Sequence, residues 1–300
     1  MTKKTTFYYR QRVMLSLLEE FGGRLNRIDF QKYLFLFTER YQTIKSYEFV
    51  PFKYGCFSFQ SYADRRKLVE LGVLKDVDEW EISDGTQFRA TIKSGDWASI
   101  QRFRQEFGTI KGNDLVREVY VRYPYFALRS EIKSSVLSDR ELARVEAVRP
   151  VFDTPCLFSI GYEGRSFENY LNKLIKNNIR IVVDVRKNPL SRKYGFSKKT
   201  LSETLRKLDI QYQHFPELGI QSEKRQSLKT QDDYEHLFEE FEQTVLTHEA
   251  ASIRKLFDLF CQFRRIAITC FEADVCMCHR SRVIKALEML PEWTHSVEHI

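Results

Sequence analysis

The segment from Cys270 to Arg282 places four kinds of chemically active side chain within one short stretch. Residues 265–271 are apolar and rich in β-branched types, which predicts a buried strand. Residues 281–290 have helical spacing, so the segment between them is predicted to be a strand-to-helix loop. Open α/β sheets bind their ligands at such loops. The side chains in question are Glu272, Cys276, Cys278, His279, Arg280 and Arg282.

Three earlier segments, residues 157–160, 179–185 and 210–215, are also predicted to be strands because they are short and either apolar or alternating in polarity. We expect the strands to be parallel, in a Rossmann-like α/β domain that spans residues 151–300. Right-handed crossovers would then bring the polar residues after each strand to one edge of the sheet. The predicted substrate-binding residues at this edge are Tyr162, Glu163, Arg165, Arg186, Arg192, Tyr194, Phe196, Arg280 and Arg282.

Four ordered motifs in this half resemble a known bacterial family. They are Gly161-Tyr162, Asp184-Val-Arg186, Pro216-Glu217-Leu218-Gly219, and Cys270-Phe-Glu272 followed by Cys278-His279-Arg280-Ser281. Together they resemble the family catalogued as domain of unknown function 488, over roughly residues 155–290. The resemblance implies a compact α/β domain and brings no assigned reaction. The motif positions that it implies are Tyr162, Arg165, Asp184, Arg186, Glu217, Glu272, Cys278, His279 and Arg280.

Two carboxylates at neighbouring strand ends would suit the cleavage of a glycosidic bond. Glu217 and Glu272 could stabilise or attack an oxocarbenium-like sugar carbon while an acid assists the leaving group. Aromatic rings for stacking a base, and arginines for binding phosphate, fit a nucleotide or an extruded DNA base. We therefore predict an enzyme that cleaves the N-glycosidic bond to a modified or foreign base in DNA, in repair or phage defence. The predicted catalytic residues are Asp184, Glu217, Glu272, Cys278 and His279.

Two other functions are compatible with the same residues. Asp184 could form a structural pair with Arg186, and the domain could then be a non-catalytic, nucleotide-responsive part of a DNA-binding regulator. A thiol enzyme, such as a sulfur transferase, could instead use Cys278. Cys276 and Arg282 have the C-x5-R spacing of phosphatase loops, but the residues between them include no glycine to turn the backbone amides inward.

The thiols and the imidazole raise the question of a metal site. Cys270, Cys276, Cys278 and His279 are of the ligand types that zinc prefers. Cys278 and His279 are adjacent, however, and we expect that they cannot share one tetrahedral ion without strain. We therefore predict no metal and no cofactor and interpret Cys270 as a thiol in the core of its strand; whether these four residues hold a metal is left open by the sequence.

The first half of the chain carries most of the basic surplus: residues 1–150 contain 26 Lys and Arg against 20 Asp and Glu, whereas residues 151–300 contain 22 against 21. Helices at 11–21, 29–41 and 57–71, followed by strands at 73–75, 80–82 and 88–92, outline a winged helix. Residues 7–83 are similar to winged-helix-like modules of bacterial defence and toxin–antitoxin proteins. We predict a nucleic-acid-binding domain over residues 1–95 and a helical connector over residues 96–150. The predicted nucleic-acid contacts are Lys53, Tyr54, Arg65, Arg66 and Lys67.

Composition excludes several classes of protein. The 300 residues suffice for two domains with separate cores. No apolar run approaches the roughly 18–20 residues of a membrane span. Six dispersed cysteines are typical of reduced thiols and not of a disulfide framework. We therefore expect a cytoplasmic protein whose partner is nucleic acid, most simply DNA, without a membrane partner; the oligomeric state is left open by the sequence.

Overall fold

The computed structural model describes residues 7–83, 87–221, 224 and 230–300. The chain divides into two compact units, Met1–Arg149 and Pro150–Ile300. Each unit contains a hydrophobic core of its own, and each is described by itself. Within the described ranges, no helix is long and apolar enough to cross a membrane.

The N-terminal unit is mainly helical, as predicted. Its elements are α1 (Tyr9–Glu20), β1 (Arg24–Leu25), α2 (Arg27–Tyr41), β2 (Val50–Phe52), β3 (Gly55–Phe57), α3 (Phe59–Glu70), β4 (Trp80–Glu81), α4 (Ser94–Phe107), α5 (Gly112–Arg122), α6 (Pro124–Ala127), α7 (Lys133–Val136) and α8 (Asp139–Ala147). Asn26 caps α2, because its side chain accepts the backbone N–H of Asp29 at 2.8 Å. The short strands form two antiparallel pairs, β1 with β4 and β2 with β3.

The prediction of a strand at residues 88–92 is wrong. Arg89–Thr91 form a 3-10 helix, and the carboxylate of Glu19 accepts the backbone N–H groups of Phe88 and Arg89, both at 3.0 Å. These donors are therefore not available to a neighbouring strand. The strand predicted at residues 80–82 is observed as β4, which pairs with β1. Leu74, in the strand predicted at residues 73–75, forms an isolated bridge with Ile82.

The helices of residues 96–150, which we interpreted as a connector, lie within the same unit. Phe103 of α4 packs edge-on against Tyr33 and Phe37 of α2, and Val119 and Tyr120 of α5 are buried in the same core. Four aromatic residues of α2 are thus core residues, namely Phe30, Tyr33, Phe35 and Phe37.

The C-terminal unit is an α/β domain, which confirms the predicted fold class. Its elements are β5 (Cys156–Gly161), α9 (Phe167–Lys176), β6 (Ile181–Asp184), α10 (Lys198–Lys207), β7 (Gln211–His214), a 3-10 helix (Pro216–Leu218), α11 (Gln231–Phe241), a π-helical turn (Glu242–Leu246), α12 (Ala250–Phe263), β8 (Arg265–Cys270), α13 (Arg280–Glu288) and β9 (Ser296–His299). One five-stranded sheet has the order β7-β6-β8-β5-β9, and every neighbouring pair is parallel. The sequence does not predict β9, because this strand is largely polar and exposed.

The order of the strands determines where a ligand site can form. The connection from β5 crosses β8 to reach β6, whereas the connection from β8 crosses β5 to reach β9, so the two run in opposite directions. Right-handed crossovers then place their helices on opposite faces of the sheet. The direction of the connections thus reverses between the neighbouring strands β5 and β8, and the carboxyl edge at such a reversal is the usual ligand position in open sheets.

Candidate functional site

A cavity of about 460 Å³ lies at the carboxyl ends of β5, β6 and β8. Four predicted site residues line it, namely Tyr162, Arg186, Arg192 and Glu272. The other lining residues were not predicted from the sequence; they are Lys187, Asn188, Leu190, Ser191, Lys193, Ile220 and Phe271, together with Cys270, which we interpreted as a core thiol. The high density of Lys and Arg residues in the loop after β6 is the sequence feature that could have indicated these positions.

Backbone hydrogen bonds hold the loops after β5 and β8 against each other. The N–H groups of Tyr162 and Glu163 both donate to the carbonyl oxygen of Phe271, at 3.0 and 2.9 Å. A Cβ atom added at Gly161 would lie 1.8 Å from the carbonyl oxygen of Glu272. Glycine at position 161 therefore permits the close approach that places Glu272 at the cavity.

Asp184 is buried and contacts Arg186 instead of the cavity. Arg186 donates to both carboxylate oxygens, from Nε at 2.8 Å and from Nη2 at 2.5 Å, and the hydroxyl of Tyr212 donates at 2.7 Å. Burial opposes the charge of the guanidinium, but the Asp184 carboxylate raises the pKa of Arg186. The geometry thus corresponds to the structural alternative, in which the pair anchors the loop after β6.

The predicted stacking surfaces are already occupied within the domain. Tyr162 and Phe196 stack on each other, with ring centroids 4.2 Å apart and an interplanar angle of 9°, and Phe196 is fully buried. Tyr194 packs edge-on against Phe167. The ring of Phe271, by contrast, is 43% exposed and lines the cavity. Phe271 is therefore the better candidate for stacking on a base.

Glu217 lines a neighbouring cavity of about 400 Å³. The two cavities share Lys187 and Ile220, but Glu217 and Glu272 line different ones. The expected arrangement of two carboxylates around one space is therefore not formed. Among the described residues that line the first cavity, Glu272 is the one acid.

Cys270 connects the cavity to a buried cluster that also contains Cys278 and His279. One ligand atom from each side chain lies within 4.8 Å of the other two. Burial, followed by the neighbouring Cys270, raises the pKa of the Cys278 thiol, which disfavours the thiolate that a sulfur transferase would need. Cys276 is exposed and lies outside the cluster.

Arg280 supports the loop that carries Glu272. Its guanidinium is buried and donates to Ser159 Oγ at 2.9 Å, to the carbonyl of Glu272 at 2.6 Å and to that of Ala273 at 3.1 Å. Glu163 contributes from the other loop, since its carboxylate accepts the N–H of Ala273 at 3.0 Å. Both residues position the site and do not line the cavity.

Arg165 and Arg282 also lie away from the cavity. Arg282 forms an ion pair with Glu242 at 3.1 Å, which does not fit the C-x5-R interpretation. The buried Nη1 atom of Arg165 has no hydrogen-bond partner among the described residues. Burial and the charge of Arg280 lower the pKa of Arg165.

The predicted nucleic-acid contacts of the N-terminal unit divide into two groups. Arg65 is buried and donates to the carbonyls of Val77 and Glu79, so it is corrected to a structural residue. Arg66 and Tyr54 are exposed. Two cations form exposed ion pairs, Lys53 with Glu131 at 3.2 Å and Lys67 with Glu70 at 2.9 Å.

Lys32 lies in the N-terminal unit and was not predicted from the sequence to be a site residue. It lines a cavity of about 690 Å³ together with Lys53 and Tyr54. Its side chain is buried, its ammonium group donates to the carbonyl of Tyr54, and burial lowers its pKa. The signal is a lysine within the apolar run of α2, since a buried lysine needs a specific partner.

The C-terminal unit is an α/β domain with a cavity at the carboxyl edge of its parallel sheet. Residues 166–287 match the model of the family described as Domain of unknown function DUF488. This match lies within the C-terminal half of the chain and confirms the resemblance seen in the motifs there. Searches of curated proteins and of solved structures found no match.

Proposed function

We propose that the C-terminal domain hydrolyses the N-glycosidic bond of a modified or foreign base in DNA, with Glu272 as the charged catalytic group. The observation that supports this best is that Glu272, the exposed ring of Phe271 and the basic loop of residues 187–193 line one cavity. Phe271 would stack on the extruded base, and Lys187 and Arg192 would contact phosphates. The volume of the cavity is within the range of sites for small ligands.

In the proposed reaction, the bond between C1′ and the base nitrogen breaks while positive charge develops on the sugar. A fixed carboxylate stabilises this charge more strongly in the transition state than in the ground state. Water then adds its oxygen to C1′, and Glu272 accepts one of the water protons as a general base. That proton is passed to the departing base and the other stays on the new hydroxyl group, so atoms and charge balance.

We propose further that the N-terminal unit supplies the affinity for DNA. Its net charge of +6, from 26 basic and 20 acidic residues, favours a polyanion. Arg66 and Tyr54 are exposed, so they are accessible for a phosphate contact and for stacking. An affinity built on such charges falls steeply with salt concentration.

The Asp184–Arg186 pair favours a second candidate function. Asp184 is fully enclosed and Glu217 lies in a different cavity, so the site offers one carboxylate where a two-carboxylate glycosidase has two. A domain of this kind could bind a nucleotide without cleaving it and report to a DNA-binding module. This regulator would need the cations of the loop after β6 but not the charge of Glu272.

The test is to incubate the full chain with single- and double-stranded DNA that carries one modified base at a time. Chromatography would detect the free base, and alkaline cleavage would detect abasic sites. The proposal expects both products from at least one substrate and their loss in Glu272→Gln. Saturable nucleotide binding without any free base would support the regulator and overturn the hydrolase.

A further inference from the structure

Three side chains of metal-ligand type converge where β8 leads into α13. Cys270 ends β8, and Cys278 and His279 immediately precede α13. All three are at most 1% exposed, and one ligand atom of each lies within 4.8 Å of the other two. In a tetrahedral zinc site, sulfur and nitrogen ligands lie roughly 3.3–3.8 Å from one another, given zinc bond lengths of about 2.0–2.3 Å. Small side-chain movements would therefore suffice for one ion to contact all three.

His279 is oriented as metal-binding histidines commonly are. Its Nε2 lies 3.0 Å from the carbonyl oxygen of Val185, and a carbonyl can only accept, so we assign the imidazole proton to Nε2. The lone pair is then on Nδ1, which lies 3.7 Å from Cys270 Sγ. A hydrogen bond from the other ring nitrogen to a backbone carbonyl fixes the tautomer and the ring direction in metal sites.

The adjacency of Cys278 and His279, which argued against a shared ion in the sequence, does not strain the backbone. His279 has φ −59° and ψ −16°, the values of an ordinary helical residue, and Cys278 is not among the described residues with positive φ. Both side chains reach the cluster because the chain turns into α13 at this point. Cys276, two residues earlier, is exposed and does not reach it.

Charge favours occupancy by a divalent ion. Two thiolates and a neutral imidazole would place two negative charges among buried side chains, which is costly. A zinc ion makes the same set neutral. Zinc binds deprotonated thiols and neutral imidazole, so its binding releases protons and its affinity is expected to fall as the pH falls.

We propose that Cys270, Cys278 and His279 bind one zinc ion and leave its fourth position to water on the side of Glu272, whose carboxylate lies 3.3 Å from Cys270 Sγ. The ion joins the end of β8 to the start of α13 and, through the hydrogen bond to Val185, to the end of β6. The proposal goes beyond the proposed function and does not depend on it.

The first experiment measures metal content of the full chain purified from zinc-supplemented cells, by plasma mass spectrometry. We expect about one zinc ion per chain, and less than about a tenth of that in Cys270→Ser, Cys278→Ser and His279→Ala. Cys276→Ser is the matched control, because it removes an exposed thiol from the same loop. Equal zinc content in the Cys270→Ser protein and the control would overturn the assignment, as would iron or copper in place of zinc.

A second experiment needs no substitution, in case the variants fail to fold. The wild-type protein is stripped of metal with a chelator and titrated with Co²⁺. Binding by two thiolates is expected to produce sulfur-to-cobalt charge-transfer bands and the intense visible bands of tetrahedral cobalt, both reversed by Zn²⁺. Absence of these bands in a folded protein would contradict the proposal. So would loss of two hydrogens in the mass of the unreduced protein, which would show that Cys270 and Cys278 form a disulfide.

Discussion

Arg186 donates hydrogen bonds to both carboxylate oxygens of Asp184, at 2.8 and 2.5 Å, inside the core of the C-terminal domain. The same guanidinium donates from Nη1 to the hydroxyl of Tyr162 at 2.9 Å and to the carbonyl of Phe196 at 2.8 Å. One ion pair therefore connects the end of β6, the loop after β5 and the residue that precedes the N-cap of α10. The loop that lines the cavity depends on this pair for its position.

Asp184→Asn is expected to lower the free energy of unfolding by about 3–5 kcal/mol, because it leaves the buried guanidinium of Arg186 without its counter-charge. Urea denaturation measures the change. The matched control is Asp258→Asn, which breaks an exposed pair with Arg254 and should cost less than about 1 kcal/mol. An inactive Asp184→Asn protein of unchanged stability would show instead that Asp184 acts in the reaction.

Glu272→Gln is expected to reduce the rate of base release by about 100-fold or more, because the amide keeps the shape of the side chain and removes the charge. Single-turnover assays at saturating DNA measure the rate, and thermal unfolding and DNA affinity should change little. Glu288→Gln, at an exposed position of α13, is the control and should leave the rate unchanged. If the Glu272→Gln variant keeps its activity, the mechanism with a catalytic carboxylate at position 272 is wrong.

Gly161→Ala is expected to destabilise the C-terminal domain by about 1–3 kcal/mol, because its Cβ would overlap the carbonyl oxygen of Glu272. The loop that carries Glu272 would have to move, so base release should fall as well. Gly95→Ala serves as the control, since no heavy atom lies within 4 Å of a Cβ there. Equal stability of the two variants would mean that the two loops are not in close contact.

Arg66→Ala is expected to weaken DNA binding and to reduce the dependence of affinity on salt by about one released counterion. Arg65→Ala should instead lower stability, since the Arg65 side chain is buried and donates to the carbonyls of Val77 and Glu79. Fluorescence anisotropy at several salt concentrations, together with thermal unfolding, separates the two effects. If neither variant changes the salt dependence, α3 does not contact DNA.

Glu146 is expected to make the N-terminal unit sensitive to acid. Hydrogen bonds from Arg149 and Lys133 lower the pKa of Glu146 from 4.5 to about 2. A carboxyl group whose pKa is lower in the folded state contributes stability above the unfolded pKa, and this contribution is lost as the pH falls from about 4.5 to about 2. Because the side chain is 48% exposed, we expect less than about 1 kcal/mol. The stability difference between wild type and Glu146→Gln should therefore shrink between neutral pH and about pH 3, and a constant difference would contradict the prediction.

Local pattern alone predicted most of the elements of the C-terminal domain. The apolar runs before Tyr162 and Glu272 predict buried strands, and the helical spacing of Leu201 and Leu205 predicts the inward face of α10. Parallel pairing follows because each strand is separated from the next by a helix, and chirality then brings the polar ends to one edge. These inferences depend on periodicity and handedness, which neighbouring residues along the chain set directly. For the same reason β9 was not predictable, since its residues are mostly polar and exposed.

Tertiary contacts decide which of these polar residues line the same cavity. The sequence places Asp184, Glu217 and Glu272 alike at strand ends. In the structure, Asp184 is enclosed by hydrogen bonds from Arg186 and Tyr212. Glu217 lines a separate cavity. The approach of Cys270 to Cys278 and His279 likewise depends on how the chain turns into α13. The physical reason is that sequence spacing fixes the edge of the sheet at which a side chain emerges. Its direction and partners depend on atoms contributed by distant segments.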